Sequence, residues 1–138
     1  MKTRMMVWAV LMAGGAVAQN NSLTVVIKGV KDGQGKVAVA LFNNEKDFMK
    51  SRLVGKVIDA SAGEVQVVFE NVAPGDYAIS VMHDENENDK LDSNLIGMPK
   101  EGFGFSNDAM GMFGPPSFEK AKFTCSPSQT ISVTMKYL

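Results

Sequence analysis

Apolar and polar residues alternate with period two along most of this chain. "LTVVIKG" places Leu23, Val25 and Ile27 on one face, and "KVAVALF" places Val37, Val39 and Leu41 on one face with Ala38, Ala40 and Phe42 on the other. "EVQVVFE" aligns Val65, Val67 and Phe69. "DYAISVMH" aligns Tyr77, Ile79, Val81 and His83, and "TISVTMKYL" aligns Ile131, Val133, Met135 and Tyr137. Alternation with β-branched and aromatic enrichment predicts half-buried strands. Weaker strands are expected at Val54 to Ala60 and at Lys120 to Cys125. Turn residues separate the runs: Asp32-Gly33 with Gly35, then Ser61-Ala62-Gly63, then Pro74-Gly75-Asp76. The one helical signal is "NNEKDFMK", where Asn43 or Asn44 can cap a single turn and Phe48 can dock it. Six or seven short strands without a strand-helix-strand rhythm predict an all-β fold. The expected form is a single antiparallel β-sandwich, immunoglobulin-like or transthyretin-like, with a small closed barrel as the alternative.

The segment from Asp84 to Phe118 breaks the pattern. It has no sustained period over 35 residues and carries five glycines (97, 102, 104, 111, 114) and three prolines (99, 115, 116). Leu95, Ile96, Met98, Phe103, Phe105, Met110, Met112, Phe113 and Phe118 give it too much apolar surface to leave in water. It reads as one long ordered loop folded back over an end or edge of the sheets.

The N-terminus changes the domain assignment. Lys2 and Arg4 precede an apolar run from Met5 to Ala13, and Ala16-Val17-Ala18 is a small-residue cleavage pattern. Residues 1–18 therefore read as a secretory signal peptide, the alternative being a retained anchor helix. The expected mature chain, 19–138, has 138 − 18 = 120 residues, enough for one domain. Losing Lys2 and Arg4 leaves 12 bases against 15 acids, which moves the net charge from −1 to −3. No basic patch suggests nucleic acid. After signal cleavage no membrane span is expected, and the location is periplasmic or extracellular at the cell surface. Cys125 is the only cysteine, so no internal disulfide is available. It is expected to be a buried apolar thiol, with pairing to another chain as the alternative.

Candidate chemistry concentrates in "HDENENDKLDSN". Residues 84–92 hold five acids (Asp84, Glu85, Glu87, Asp89, Asp92) against one base, Lys90. In a calcium-loop frame Asp84 is position 1, Asn86 position 3, Asn88 position 5 and Asp92 position 9, with the Lys90 backbone carbonyl at position 7. Oxygens so spaced in a tight turn can converge on one Ca²⁺. Two positions depart from the frame: Asp89 replaces the turn glycine, and Leu95 replaces the bidentate glutamate at position 12. A strict EF-hand is thereby excluded. An EF-like half loop, completed by Asp92, Asn94 or Glu101, would bind at roughly 10⁻⁴ to 10⁻³ M. The competing reading is a solvated acidic turn held by Asx hydrogen bonds.

Other chemistry has less behind it. His83 is the only histidine and adjoins Asp84; an enzyme reading pairs it with loop carboxylates or with Ser106. The plainer reading is a strand-end histidine whose ring hydrogen-bonds to the loop and fixes its start. Met98, Met110 and Met112 could offer thioethers to Cu(I), although methionines also fill gaps under irregular loops.

The stretch "APGDYAISVMHDENENDKLDSNLIGMPKEGFGFSNDAMGMFGPPSFEKAKF" resembles the signature block of the bacterial domain-of-unknown-function 2141 family. The resemblance runs from about Val25 to Tyr137. It implies an exported small β-sandwich of transthyretin or carboxypeptidase-regulatory type, and it carries no assigned activity. The family's loop commonly has glycine where this chain has Asp89. Gly102, Gly104, Phe105, Ser106 and Asn107 match one fixed motif, and Gly114, Pro115, Pro116 and Phe118 another. These residues, with His83, are expected to shape a binding surface or to pack the loop against the sheets. The expected function is non-catalytic, binding an unidentified protein or small ligand or serving a structural role.

Overall fold

The structure, a computed structural model, describes residues 20–87, 101–112 and 114–138. The signal-peptide reading of residues 1–18 lies outside them. The fold is all-β, with eight strands among the described residues: β1 (Asn21–Val30), β2 (Lys36–Phe42), β3 (Val54–Asp59), β4 (Gly63–Val72), β5 (Gly75–Asp84), β6 (Phe103–Phe105), β7 (Phe123–Cys125) and β8 (Gln129–Thr134). One sheet has the order β4-β1-β8. The other has the order β3-β2-β5-β6, and β7 also pairs with β5.

The alternating residues face inward as their spacing predicts. Leu23, Val25 and Ile27 of one sheet meet Val37, Val39, Leu41, Ile79 and Val81 of the other in a single buried cluster. Burying each such side chain contributes about 1.5–3 kcal/mol. Strand β3 is an edge whose residues are exposed apart from half-buried Ile58, which accounts for its weaker sequence signal. The "NNEKDFMK" signal forms a turn. The Asp47 N–H donates to Asn44 Oδ1 at 2.8 Å, and Phe48 docks edge-on against Phe42 at 5.2 Å between ring centroids.

Two expectations are corrected. The fold is not wholly antiparallel, because β1 pairs with β8 in parallel, from Leu23↔Gln129 to Lys28↔Thr134. The stretch 84–118 is also not a single loop. It contains β6, a 3₁₀ turn at Ser106–Asp108, and the start of helix α1 (Phe118–Ala121). Strand β6 is Phe-Gly-Phe with all three residues buried. A three-residue strand covered on both faces has no polar alternation to display. Helix α1 is one turn, too short to show a 3.6-residue period. It takes the first part of the weak strand expected at Lys120 to Cys125, leaving β7 the last three residues.

Two features tie the sheets together. Phe103 and Lys136 exchange backbone hydrogen bonds at 3.0 and 2.8 Å, linking β6 to the chain just after β8. At the β4–β5 corner the Tyr77 hydroxyl donates to the Ala73 carbonyl at 2.6 Å.

Candidate functional site

Strand β5 ends at His83 and Asp84, and the acidic segment begins there. His83 belongs to the inward-facing set of β5 and is fully buried. Its Nε2 lies 2.7 Å from the Gln34 carbonyl. A carbonyl only accepts, so Nε2 carries a proton, and in the neutral ring Nδ1 is then the acceptor. The Tyr137 hydroxyl, 2.8 Å from Nδ1, donates to it. That same hydroxyl accepts from the Lys31 N–H at 2.9 Å. The relay Lys31–Tyr137–His83–Gln34 thus satisfies both ring nitrogens. Burial pushes the Tyr137 phenol above its ordinary value of 10.0, with Glu85 and Asp32 adding to the shift and the Lys31 N–H opposing it. The phenol therefore keeps the proton it donates.

Local sequence sets this geometry. Asp32 Oδ1 accepts from the Gln34 N–H at 2.9 Å, an Asx turn that helps fix the residue whose carbonyl meets His83. Gly35 has φ 71°, and a Cβ there would run into the Asp84 and Glu85 backbone. The glycine thus lets the β1–β2 turn close under the end of β5. Lys31 Nζ lies 5.6 Å from the Tyr137 ring centroid and 3.6 Å from Glu85 Oε2. The ring of His83 was expected to hold the start of the long loop. Its partners are instead the β1–β2 turn and the C-terminal tyrosine, because the ring faces inward between the sheets.

The two flanks of the acidic segment meet at this same end. The His83 N–H donates to the Gly102 carbonyl at 2.8 Å, and the Glu85 N–H donates to Glu101 Oε2 at 3.0 Å. Asp84 and Glu101 are both buried, at 3% and 6% exposure, whereas Asn86 is exposed. Asp84 and Glu101, two of the proposed calcium ligands, therefore stand at one neck. Asn88, Lys90, Asp92 and Asn94 lie outside the described residues. Among the described residues, no group of three or more His, Cys, Asp or Glu side chains is arranged to hold a metal.

The second half of the segment is a clamp. A Cβ on Gly102 would collide with the Tyr137 ring at Cε2 and Cζ, and one on Gly104 would sit 2.7 Å from Val133 Cγ1. Both glycines let β6 approach the opposite sheet. Strands β6 and β7 share one edge of β5 and leave Ala78 and Ile79 unpaired there, since β6 covers Ser80 to Met82 and β7 covers Gly75 to Tyr77. Ser106 fills the gap. Its hydroxyl accepts from the Ile79 N–H at 2.9 Å and donates to the Ala121 carbonyl at 2.6 Å. Asn107, at φ 62°, donates through Nδ2 to the Lys120 and Lys122 carbonyls at 3.0 and 2.8 Å. These are among the carbonyls a helix end leaves without intrahelical partners. Asp108 Oδ1 accepts from the Thr134 N–H at 2.8 Å. Ser117 caps α1 through the Lys120 N–H at 3.2 Å, and Phe118 packs on Phe48 at 5.8 Å. Pro116 is buried, while Gly114 and Pro115 are exposed at the corner.

His83 and Ser106 thus hydrogen-bond to different partners and not to each other. Cys125 is buried, and burial pushes its thiol above 9.0. Met110 and Met112 are exposed, and Met98 lies outside the described residues. The sequence did not reveal Tyr137 and Gln34 as the partners of His83, nor Lys31 and Asp32 behind them. A signal existed for Tyr137: alternation puts a phenol and the only histidine on inward faces, and a buried polar tip needs a partner.

These features define an all-β protein of two sheets in which the His83 ring and the Ser106 hydroxyl are buried and hydrogen-bonded. The chain belongs to the bacterial family described as uncharacterized protein conserved in bacteria (DUF2141), which it matches over residues 25–132. No curated protein and no solved structure matches it.

Proposed function

We propose that the protein is an exported, non-catalytic β-sandwich module that acts in the periplasm or at the cell surface by binding. The observation that carries this reading is that His83 and Ser106 are held inside the frame, with both ring nitrogens and the hydroxyl engaged. The immunoglobulin-like form is supported by the Tyr77–Ala73 hydrogen bond, which has the geometry of the tyrosine corner seen in such sandwiches. The chain after the signal needs no membrane span, and among the described residues no helix is long and apolar enough to cross a membrane. With 14 bases against 15 acids the chain has no excess of positive charge to draw nucleic acid.

The acidic segment is proposed to bind Ca²⁺ and so close the neck of the loop. The support is the meeting of buried Asp84 and Glu101 at the base of a segment rich in carboxylate and amide oxygens. Thermal unfolding of the mature protein in millimolar Ca²⁺ and in chelator tests this, beside an Asp84→Ala/Asp92→Ala variant. A cation held only by the folded state adds about 1.4 kcal/mol at ten times Kd. A Ca²⁺-dependent rise lost in the variant supports the site; no rise with Ca²⁺ removes it. The non-catalytic reading is tested by His83→Ala. A strut predicts a lowered melting temperature, and a catalytic residue predicts a melting temperature close to that of the parent.

A further inference from the structure

The outer face of the β3-β2-β5-β6 sheet is only partly covered. Phe42, Phe48, Phe103, Phe105 and Phe118 belong to a second buried cluster over one part of it, with half-buried Ala40 packed against its edge. The strand register sets two rows of side chains across the rest. One row runs Val57, Ala38, Met82, Phe103, and the next runs Gly55, Ala40, Ser80, Phe105. Gly55, Ala40 and Ser80 are the small members, so the second row is a trough. Its walls are the Val57–Met82 row and the aromatic cluster, whose Phe103 and Phe105 close it at the β6 end. Strand spacing makes it about 10 Å long from β3 to β5 and about 7 Å from row to row. The trough belongs to a groove of about 600 Å³ whose mouth also carries Met49 and Arg52.

Arg52 indicates what the groove accepts. Its side chain lies across Gly55, where a Cβ would stand 2.5 Å from Nε and 2.8 Å from Cδ. Glycine at this position keeps the arginine stem down on the sheet. None of the ion pairs among the described residues involves Arg52. An exposed, unpaired guanidinium at one end of an apolar trough complements a carboxylate attached to an apolar chain. The trough crosses the strands. A peptide strand added at the β3 edge would run along them and leave it empty.

We infer that this groove binds a single-chain aliphatic carboxylate, with the head on Arg52 and the alkyl chain over Ala40 and Ser80. The inference rests on the reading of the protein as a binding module and names the class of ligand. Amide-resolved NMR titration of the mature protein with decanoate, and separately with decanol, tests it. The expected result is saturable decanoate binding with shifts at Gly55, Ala40 and Ser80, and far weaker binding of decanol. Arg52→Gln should weaken decanoate about tenfold, the loss of one charge-assisted contact. Ser80→Leu should fill the trough and abolish binding. Arg52 is exposed, so its variant tests the head contact even where Ser80→Leu fails to fold. Absence of decanoate binding, equal affinity in Arg52→Gln, or shifts confined to other surfaces overturns the inference. So does an extended peptide that protects β3 amides while decanoate moves nothing. Each of these outcomes leaves the binding-module reading standing with another surface, whereas a His83→Ala variant with unchanged melting temperature strikes that reading itself.

Discussion

Replacing Ser106 with alanine separates a structural hydroxyl from a catalytic one. The oxygen is fully buried and joins two backbone groups, the Ile79 N–H at 2.9 Å and the Ala121 carbonyl at 2.6 Å. Ile79 and Ala121 are themselves fully buried. Ser106→Ala removes one atom, leaves little cavity, and orphans both groups. Each lost hydrogen bond is worth about 1 kcal/mol net, and a stranded buried donor adds about 1–3 kcal/mol. The expected destabilisation is about 3–5 kcal/mol. At about 4 °C per kcal/mol for a domain of this size, melting should fall by about 12–20 °C. Urea unfolding followed by circular dichroism measures it. The midpoint should fall while the denaturant slope stays unchanged, because the surface exposed on unfolding is the same. A loss below about 1 kcal/mol would refute the claim that Ser106 completes the β5 edge. A nucleophilic serine predicts that small loss.

Other outcomes follow from the same contacts. Gly104→Ala should cost about 1–3 kcal/mol through overpacking, since the new methyl would meet Val133 Cγ1 at 2.7 Å and the Thr134 carbonyl at 3.0 Å; its urea midpoint checks this. The folded protein should weaken in alkali. Burial raises Cys125 above 9.0, and Tyr77 and Tyr137 above 10.0. The unfolded chain therefore ionises first, so this stability is whole below pH 9.0 and is lost as pH rises through the raised folded values. Melting curves from pH 8 to 11 measure that loss, and Tyr137→Phe should flatten it.

The residues most legible in the sequence were those whose environment differs between their two faces. Strands β1, β2, β4, β5 and β8 have one face on the core, so their alternation marks both strand and inward set, including Tyr77, Ile79, Val81 and His83. Strand β6 escaped because its three residues are buried together. The parallel β1–β8 pairing escaped because alternation marks a face and says nothing about which strand lies beside it. The clamp was legible as a motif and not as a mechanism. Ser106, Asn107 and Asp108 act on backbone groups 13 to 27 residues away, and no spacing rule reports those partners. His83 and Tyr137 are 54 residues apart for the same reason.

The most direct measurement is of His83 itself. Long-range ¹⁵N–¹H NMR of the imidazole at pH 8 distinguishes its tautomers, which interconvert freely in an unconstrained ring. A strut between Gln34 and Tyr137 predicts one tautomer, with the proton on Nε2 and slow to exchange with solvent, and Nδ1 as a pure acceptor. A proton on Nδ1, or a rapidly exchanging mixture, would contradict the account and return the only histidine to the list of candidate catalysts.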